Sequence, residues 1–177
     1  METRLLRAGF DQDEVESELA TLERVHLQGN RESSLLLGKS ETTAAPRLLA
    51  RDLVIDGTLA AACADLEPGA PGSCKEDRWT SHGGGSGLVI LDGASAEVSG
   101  FDIARSFLAG IQVGKGSSLR LDSGTIRQNA VGANLQEPGF DQSLVINETV
   151  RYTENETNLS AESLPLPVCE PPRLPSS

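Results

Sequence analysis

The apolar residues of this chain lie in short runs that alternate with polar residues and end at glycine or a small polar residue. Residues 110–132, GIQVGKGSSLRLDSGTIRQNAVG, contain three such runs. Alternation of apolar and polar side chains is typical of β-strands, and none of these runs is long enough for a helix. The pattern predicts a series of very short strands.

The short strands recur at a fixed interval. GLVI at 87–90 matches GIQV at 110–113 and GANL at 132–135, so that the leading glycines are 23 and 22 residues apart. A second strand recurs at 96–98, 119–121 and 144–145, and a third at 101–103, 124–126 and 149–150. A period in the low twenties indicates stacked units, none of which buries an apolar face alone.

The same period extends towards the N-terminus. The apolar residues of 20–30 fall on those of 96–106, and residues 48–57 supply another pair of second and third strands. Leu35 and Leu37 take the places of Ile111 and Val113. About five turns therefore share a pattern of three strands, in which each strand pairs with its equivalent in the next turn. The residues predicted to point inward are Val98, Ile103, Ile111, Val113, Leu119, Leu121, Ile126 and Leu135.

On these repeats, residues 20–160 resemble a right-handed parallel β-helix of the pectin-lyase-like superfamily. The resemblance implies an all-β fold, a solenoid of about five or six rungs with three short strands per rung. A leucine-rich repeat has a similar period, but its helical segment and its leucine-asparagine consensus are missing. A β-sandwich of unrelated short strands remains the alternative.

The regions outside the repeat define the domain organisation. Residues 1–19 form either a capping helix or a degenerate rung. The motif GFDQ, which occurs at 9–12 and again at 139–142, favours the rung. The β-helix spans 20–162, and the Pro-rich tail 163–177 either runs extended over the last rung or is disordered. A long loop at 57–86 interrupts the repeat at the connection between a third and a first strand, and loops of this length are usually functional or disordered.

Charge and length narrow the classes of function. The 177 residues carry 26 acidic and 15 basic side chains, a net charge of −11. Such a surface repels phosphate backbones, so no nucleic-acid partner is expected. No stretch approaches the roughly 20 apolar residues of a membrane span. The first residues lack a secretory leader, so that the protein is either extracellular or at the cell surface, with a leader upstream of this sequence, or cytoplasmic.

Two cysteines in the long loop bear on the compartment. Cys63 and Cys74 are eleven residues apart, and a disulfide between them would contribute up to about 3 kcal/mol in an oxidising compartment. The alternative is two free thiols in a reducing one, and Cys169 stays unpaired in either case. Cys63, Cys74 and His82 lack the closely spaced pair of ligands that zinc sites usually contain, so no metal site is predicted. No cofactor is predicted either.

The first-strand face is the predicted binding site. Lyases and hydrolases of the resembled superfamily place carboxylates, with a basic residue in the lyases, on this face. Here its outward positions are Leu36, Val89, Gln112 and Asn134, none of which is a general acid or base. No catalytic residue is therefore predicted. The predicted ligand-binding residues, in a groove beneath the long loop, are Trp79, His82, Gln112 and Asn134.

The third-strand face is the second-choice surface. Alternation puts Arg127 and Arg151 in one outward column and Asp102 in the neighbouring one. Such a set is interpreted either as a lyase site with an arginine base or as a solvated face with ion pairs across rungs. Asn129 and Asn155, in the turns after the third strand, are predicted to stack rather than to bind a ligand.

The sequence thus predicts a non-catalytic, secreted or surface-exposed module that binds a polysaccharide or a protein partner. A polysaccharide lyase or glycoside hydrolase of the same fold is one alternative. A purely structural fragment of a larger surface protein is the other, because fold resemblance alone does not assign function.

Overall fold

The computed structural model describes residues 19–39, 44–60 and 84–164. These residues form ten β-strands and one short 3₁₀ helix at Gln142–Leu144. The strands are β1 (Leu19–Gln28), β2 (Ser33–Leu37), β3 (Arg47–Asp56), β4 (Ser86–Ile90), β5 (Ser95–Ala104), β6 (Ala109–Val113), β7 (Ser118–Arg127), β8 (Val131–Leu135), β9 (Val150–Thr153) and β10 (Thr157–Ser160).

The strands form two parallel sheets of five. One has the order β1-β3-β5-β7-β9 and is called the bent-strand sheet, and the other has the order β2-β4-β6-β8-β10 and is called the short-strand sheet. Every neighbouring pair is parallel. Because the chain passes alternately between the sheets, it winds as a β-solenoid. The all-β solenoid prediction is confirmed, with about four turns in place of the five or six expected.

The predicted second and third strands run together as one ten-residue strand with a bend. The bend lies at the sixth residue of each long strand, where the backbone enters the left-handed region. These residues are Arg24, Asp52, Gly100 and Ser123, with φ between 52° and 62°. A second left-handed residue follows each long strand, for example Arg105 and Gln128. Two such turns per rung bring the chain back to the opposite sheet.

The interior consists of aliphatic columns that run along the solenoid. Leu53, Phe101 and Gly124 pair in one column, and Ile55, Ile103 and Ile126 in the next. All eight residues predicted to point inward belong to this buried core, which confirms the repeat register for the central rungs. Gly124 is required because a β-carbon there would lie 2.4 Å from the ring of Phe101.

The last turn departs from the predicted register. Leu144 and Val145 were expected in a second strand, but the chain there forms the 3₁₀ helix and its C-cap. Fourteen residues, 136–149, separate β8 from β9, whereas four, 114–117, separate β6 from β7. As a result Arg151 pairs with Thr125 and lies in the column of Asp102, and the prediction that it shares a column with Arg127 is wrong.

The turns after the long strands contain a ladder of polar side chains. Asn129 Oδ1 accepts from the backbone N–H of Ser106 at 2.8 Å, and Asn155 Oδ1 accepts from the N–H of Asn129 at 3.0 Å. Each amide also donates to a carbonyl of the preceding rung, Asn129 to Ile103 and Asn155 to Ile126. These bonds satisfy backbone groups that the turns would otherwise leave unpaired. The prediction that both asparagines stack is confirmed.

Parts of the predicted domain organisation lie outside the described residues. Of the segment 1–19 only Leu19 is described, and it begins β1. Of the predicted loop 57–86, residues 57–60 and 84–86 are described, and Cys63 and Cys74 are not among them. Of the tail, only Ser163 and Leu164 are described, so that Cys169 also falls outside.

Candidate functional site

The outward positions of the short-strand sheet lie in one column, as predicted. Leu36 pairs with Val89, Val89 with Gln112, and Gln112 with Asn134. Val89, Gln112 and Asn134 are each 0% exposed. This outer face is therefore closed to solvent at these positions, although alternation directs the side chains away from the core.

Hydrogen bonds and packing account for part of this burial. The Ser86 hydroxyl donates to Gln112 Oε1 at 2.7 Å, and Asn134 Nδ2 donates to the carbonyl of Glu162 at 2.9 Å. The chain after β10 turns back over β8, and Leu164 packs with Leu108, Ala109 and Val131. Asn134 thus holds this returning segment against the sheet.

The predicted groove beneath the long loop needed open surface at Gln112 and Asn134, and the structure does not provide it there. Both side chains have structural partners inside the fold. Trp79 and His82, the other two predicted ligand-binding residues, lie outside the described residues. Their role stays a prediction.

The second-choice surface, on the outside of the bent-strand sheet, is exposed. Arg127 of β7 reaches back to Asp102 of β5 and donates from Nε to Oδ1 at 3.0 Å and from Nη2 to Oδ2 at 2.8 Å. About a third of each side chain is exposed. A similar pair joins Arg105 to Asp56. Ion pairs across rungs, one of the two interpretations of this face, are therefore present.

The pair with Asp102 also affects the pKa of Arg127. The hydrogen bond to the Asp102 carboxylate, reinforced by the charges of Asp102, Asp56 and Glu154, raises the pKa of Arg127. A general base must lose its proton readily near the working pH. The raised pKa moves Arg127 further from that condition.

A shallow depression of about 750 Å³ follows the bends of β3, β5 and β7 to the beginning of β9, and we call it the bend groove. Glycines and hydroxyl groups make up much of its lining, and carboxylates and one arginine supply its charge. Its lining residues are Asp52, Val54, Gly100, Phe101, Asp102, Ser123, Gly124, Thr125, Glu148, Thr149 and Arg151.

Asp52 supplies a negative charge at one end of the bend groove, and the other end carries both the positive charge of Arg151 and the carboxylate of Glu148. Asp52 lies at the β3 end and Arg151 at the β9 end, and both are exposed. Within the part of the chain that the structure describes, neither side chain makes a hydrogen bond or an ion pair. Three strand spacings, about 14 Å at about 4.8 Å each, separate their strands across the sheet, and Arg151 lies in the column of Val54, two residues further along the strand direction than Asp52. Asp102, between them, is already engaged by Arg127.

Sequence reasoning identified Asp102, Arg127 and Arg151 but missed Asp52. Asp52 occupies the left-handed position of its strand, with φ of 54°, where most residue types are disfavoured. Its alignment with Gly100, which also takes a left-handed conformation, was the signal in the sequence. Among the described residues no group of three or more His, Cys, Asp or Glu is placed to hold a metal ion.

Comparison with protein-family models, with curated proteins and with solved structures finds no match for this chain. The fold class is thus shown by the structure itself, as a parallel β-solenoid. None of the helices in the described ranges has the length and apolar character to cross a membrane.

Proposed function

We propose that this protein is a non-catalytic, secreted or surface-exposed binding module that holds an extended segment of a protein partner in the bend groove. The observation that carries the proposal is the pair of unengaged charges, Asp52 and Arg151, at opposite ends of an open groove. An extended peptide rises about 3.4 Å per residue, so about 14 Å corresponds to four residues. A segment with a basic residue four positions from an acidic one complements both ends.

A protein segment fits this groove better than a glycan does. Sugar rings are usually bound against exposed aromatic faces, and the aromatic residue of the groove, Phe101, is 5% exposed and packs in the core. The hydroxyl groups of Ser123 and Thr125 in the groove suit the polar backbone of an extended chain. Glycan binding, through Trp79 or elsewhere, remains the competing outcome of the experiment below.

The two other candidate functions have less support. A lyase or hydrolase of the resembled superfamily needs a proton acceptor, and the Asp102 carboxylate raises the pKa of Arg127, the candidate considered for that role. A purely structural fragment would leave the bend groove without an occupant. Binding to neither probe class would favour this second alternative.

An array of extended peptides, run beside a glycan array with the same purified protein, tests the proposal. Peptides with Lys and Glu four positions apart should bind, and peptides with both residues replaced by Ala should not. Arg151→Glu and Asp52→Lys should each reduce binding about tenfold or more, because each places like charges together. Exclusive binding to glycans would overturn the choice of partner.

A matched control separates a local effect from a change in net charge. Lys115→Glu introduces the same change in charge as Arg151→Glu, at an exposed turn outside the groove. It should leave peptide binding within about twofold of the original, since exposed charges beyond a Debye length of roughly 8 Å are largely screened. An equal loss in both variants would contradict a site in the bend groove.

A further inference from the structure

Within residues 19–39, 44–60 and 84–164, both sheets of the solenoid end in strands that have a neighbour on one side only. At one end these are β1 and β2, and at the other β9 and β10. The apolar columns are interrupted at the same places, because Leu22, Val25, Leu27, Tyr152 and Leu159 are only partly buried against the core. Edge strands of this kind are ready to pair with another chain.

The two ends are complementary in direction and in register. All strand pairs in the solenoid are parallel. The second half of β1 from another copy would therefore pair with β9 in the way that β3 pairs with β1 within one copy. In the same way β2 of that copy would lie along β10 as β4 lies along β2. Such a contact repeats an arrangement that the chain already makes between its own rungs. Residues 136–149 stand where the first half of the last long strand would be, which limits the junction to these two strand pairs.

The polar ladder indicates the same partner. In the ladder, each asparagine accepts from a backbone N–H of the preceding rung and donates to a carbonyl of that rung. Asn155 belongs to the last rung, and Asn30 holds the equivalent place in the first, after the left-handed Gly29. Asn30 of a second copy would be placed to accept from the N–H of Asn155 and to donate to the carbonyl of Tyr152.

The two ends also differ in charge. Residues 19–39 carry three basic and two acidic side chains, whereas residues 136–164 carry one basic and six acidic ones. In a continued stack the register places Arg31 of one copy opposite Glu156 of the other. An N-terminal end against a second N-terminal end lacks this complementarity, and two C-terminal ends would repel each other.

We infer that the protein associates with further copies of itself head to tail, β1 and β2 of one copy extending the sheets at β9 and β10 of the next. Such a contact is heterologous and does not close on itself, so that it generates linear stacks. It is small, because it involves two pairs of strand edges, and small interfaces associate weakly. The long-range repulsion of a net charge of −11 per copy opposes it and is reduced by salt.

Sedimentation velocity of the full-length protein from about 10 μM to about 1 mM, at about 0.15 M salt, covers the range of weak interfaces. The sedimentation coefficient should rise with concentration and should not level off at a dimer. Arg31→Glu should lower the association constant about tenfold, because it places an acidic group against the acidic end. Combining Arg31→Glu with Glu156→Arg in one chain should restore association to within about threefold.

Arg120→Glu is the matched control, since it makes the same charge change on an exposed residue of a central strand. It should leave association unchanged, and the thermal midpoint of every variant should match the original. A protein that stays monomeric throughout would overturn the inference. A dimer that saturates, or an Arg31→Glu variant that associates normally, would overturn it too.

Discussion

The two sheets enclose the same interior but differ in what lies on their outer sides. On the short-strand sheet the outward residues Gln112 and Asn134 are fully buried and hydrogen-bonded within the chain. On the bent-strand sheet the outward residues Thr125 and Arg151 line an open groove. Two columns with the same orientation relative to the core thus have opposite exposure.

The difference shows that alternation along a strand assigns a side chain to a face and leaves the exposure of that face undetermined. Exposure depends on whether another part of the chain returns over the sheet, as residues 161–164 do over β8. A face that is covered contributes to stability, and a face that stays open is available to a partner. This is why we place the binding site on the bent-strand sheet.

The largest expected effect comes from the shared interior. Ile111→Ala should lower the free energy of unfolding by about 2–5 kcal/mol, because it leaves a cavity in a fully buried column. Urea denaturation of the two proteins measures the change. A loss below about 1 kcal/mol, the size typical of tolerated substitutions, would contradict the register on which the comparison rests.

The next effect compares the two outer sides directly. Gln112→Ala should cost about 1–3 kcal/mol, since the buried Ser86 hydroxyl loses its acceptor. Thr125→Ala, outward on the other sheet, should change stability by less than about 0.5 kcal/mol. The same denaturation experiment applies to both variants. Equal losses would mean that the two outer sides are alike.

Tyr152, the only tyrosine, reports on the last rung of the bent-strand sheet. Burial raises its pKa well above the ordinary value of about 10. A raised pKa stabilises the fold below pH about 10, and this contribution is lost as pH rises through the folded pKa, at up to about 1.4 kcal/mol per pH unit. At pH about 11 tyrosinate absorbance should be absent from the folded protein and present in urea. Ionisation near pH 10 in the folded protein would show that the inner side of β9 is open.

The smallest effect is expected for the exposed pair Asp102–Arg127. A double-mutant cycle with Asp102→Asn and Arg127→Gln should give a coupling energy of about 0.2–1 kcal/mol, the range for pairs with solvent-exposed side chains. The coupling should shrink in about 1 M salt, where the Debye length falls to about 3 Å. A coupling above about 2 kcal/mol that persists in salt would indicate a covered pair and remove the contrast between the sheets.

The sequence predicted the central rungs because their spacing is nearly constant. Between Gly87 and Leu135 the repeat determined which side chains point inward, and the strand pairing confirms it. It failed in the last turn, where the long connection after Leu135 moved Arg151 into another column. A repeat pattern contains no information on how an irregular connection shifts the next strand.

The candidate site was also predicted only in part, and the physical reason differs from the one that applies to the last turn. Arg127 and Asp102 were placed on one face because both lie on regular strands, and an ion pair across rungs was one of the two interpretations of that face. The burial of Gln112 and Asn134 depends on chain segments outside their own rung, among them the returning residues near Glu162. Contacts of this kind are absent from a periodic pattern.

The strand order also has a consequence for how the molecule opens. Each strand of the central rungs pairs only with equivalents about one period away, as Leu88 does with Ile111. In such arrays stability is approximately a sum over adjacent units, and opening proceeds from the ends. Amide hydrogens of β5 and β7, with neighbours on both sides, should exchange with solvent most slowly, and those of β1 earliest. Unfolding is then progressive, so that the solenoid loses its first rung while the bends that form the groove are still in place.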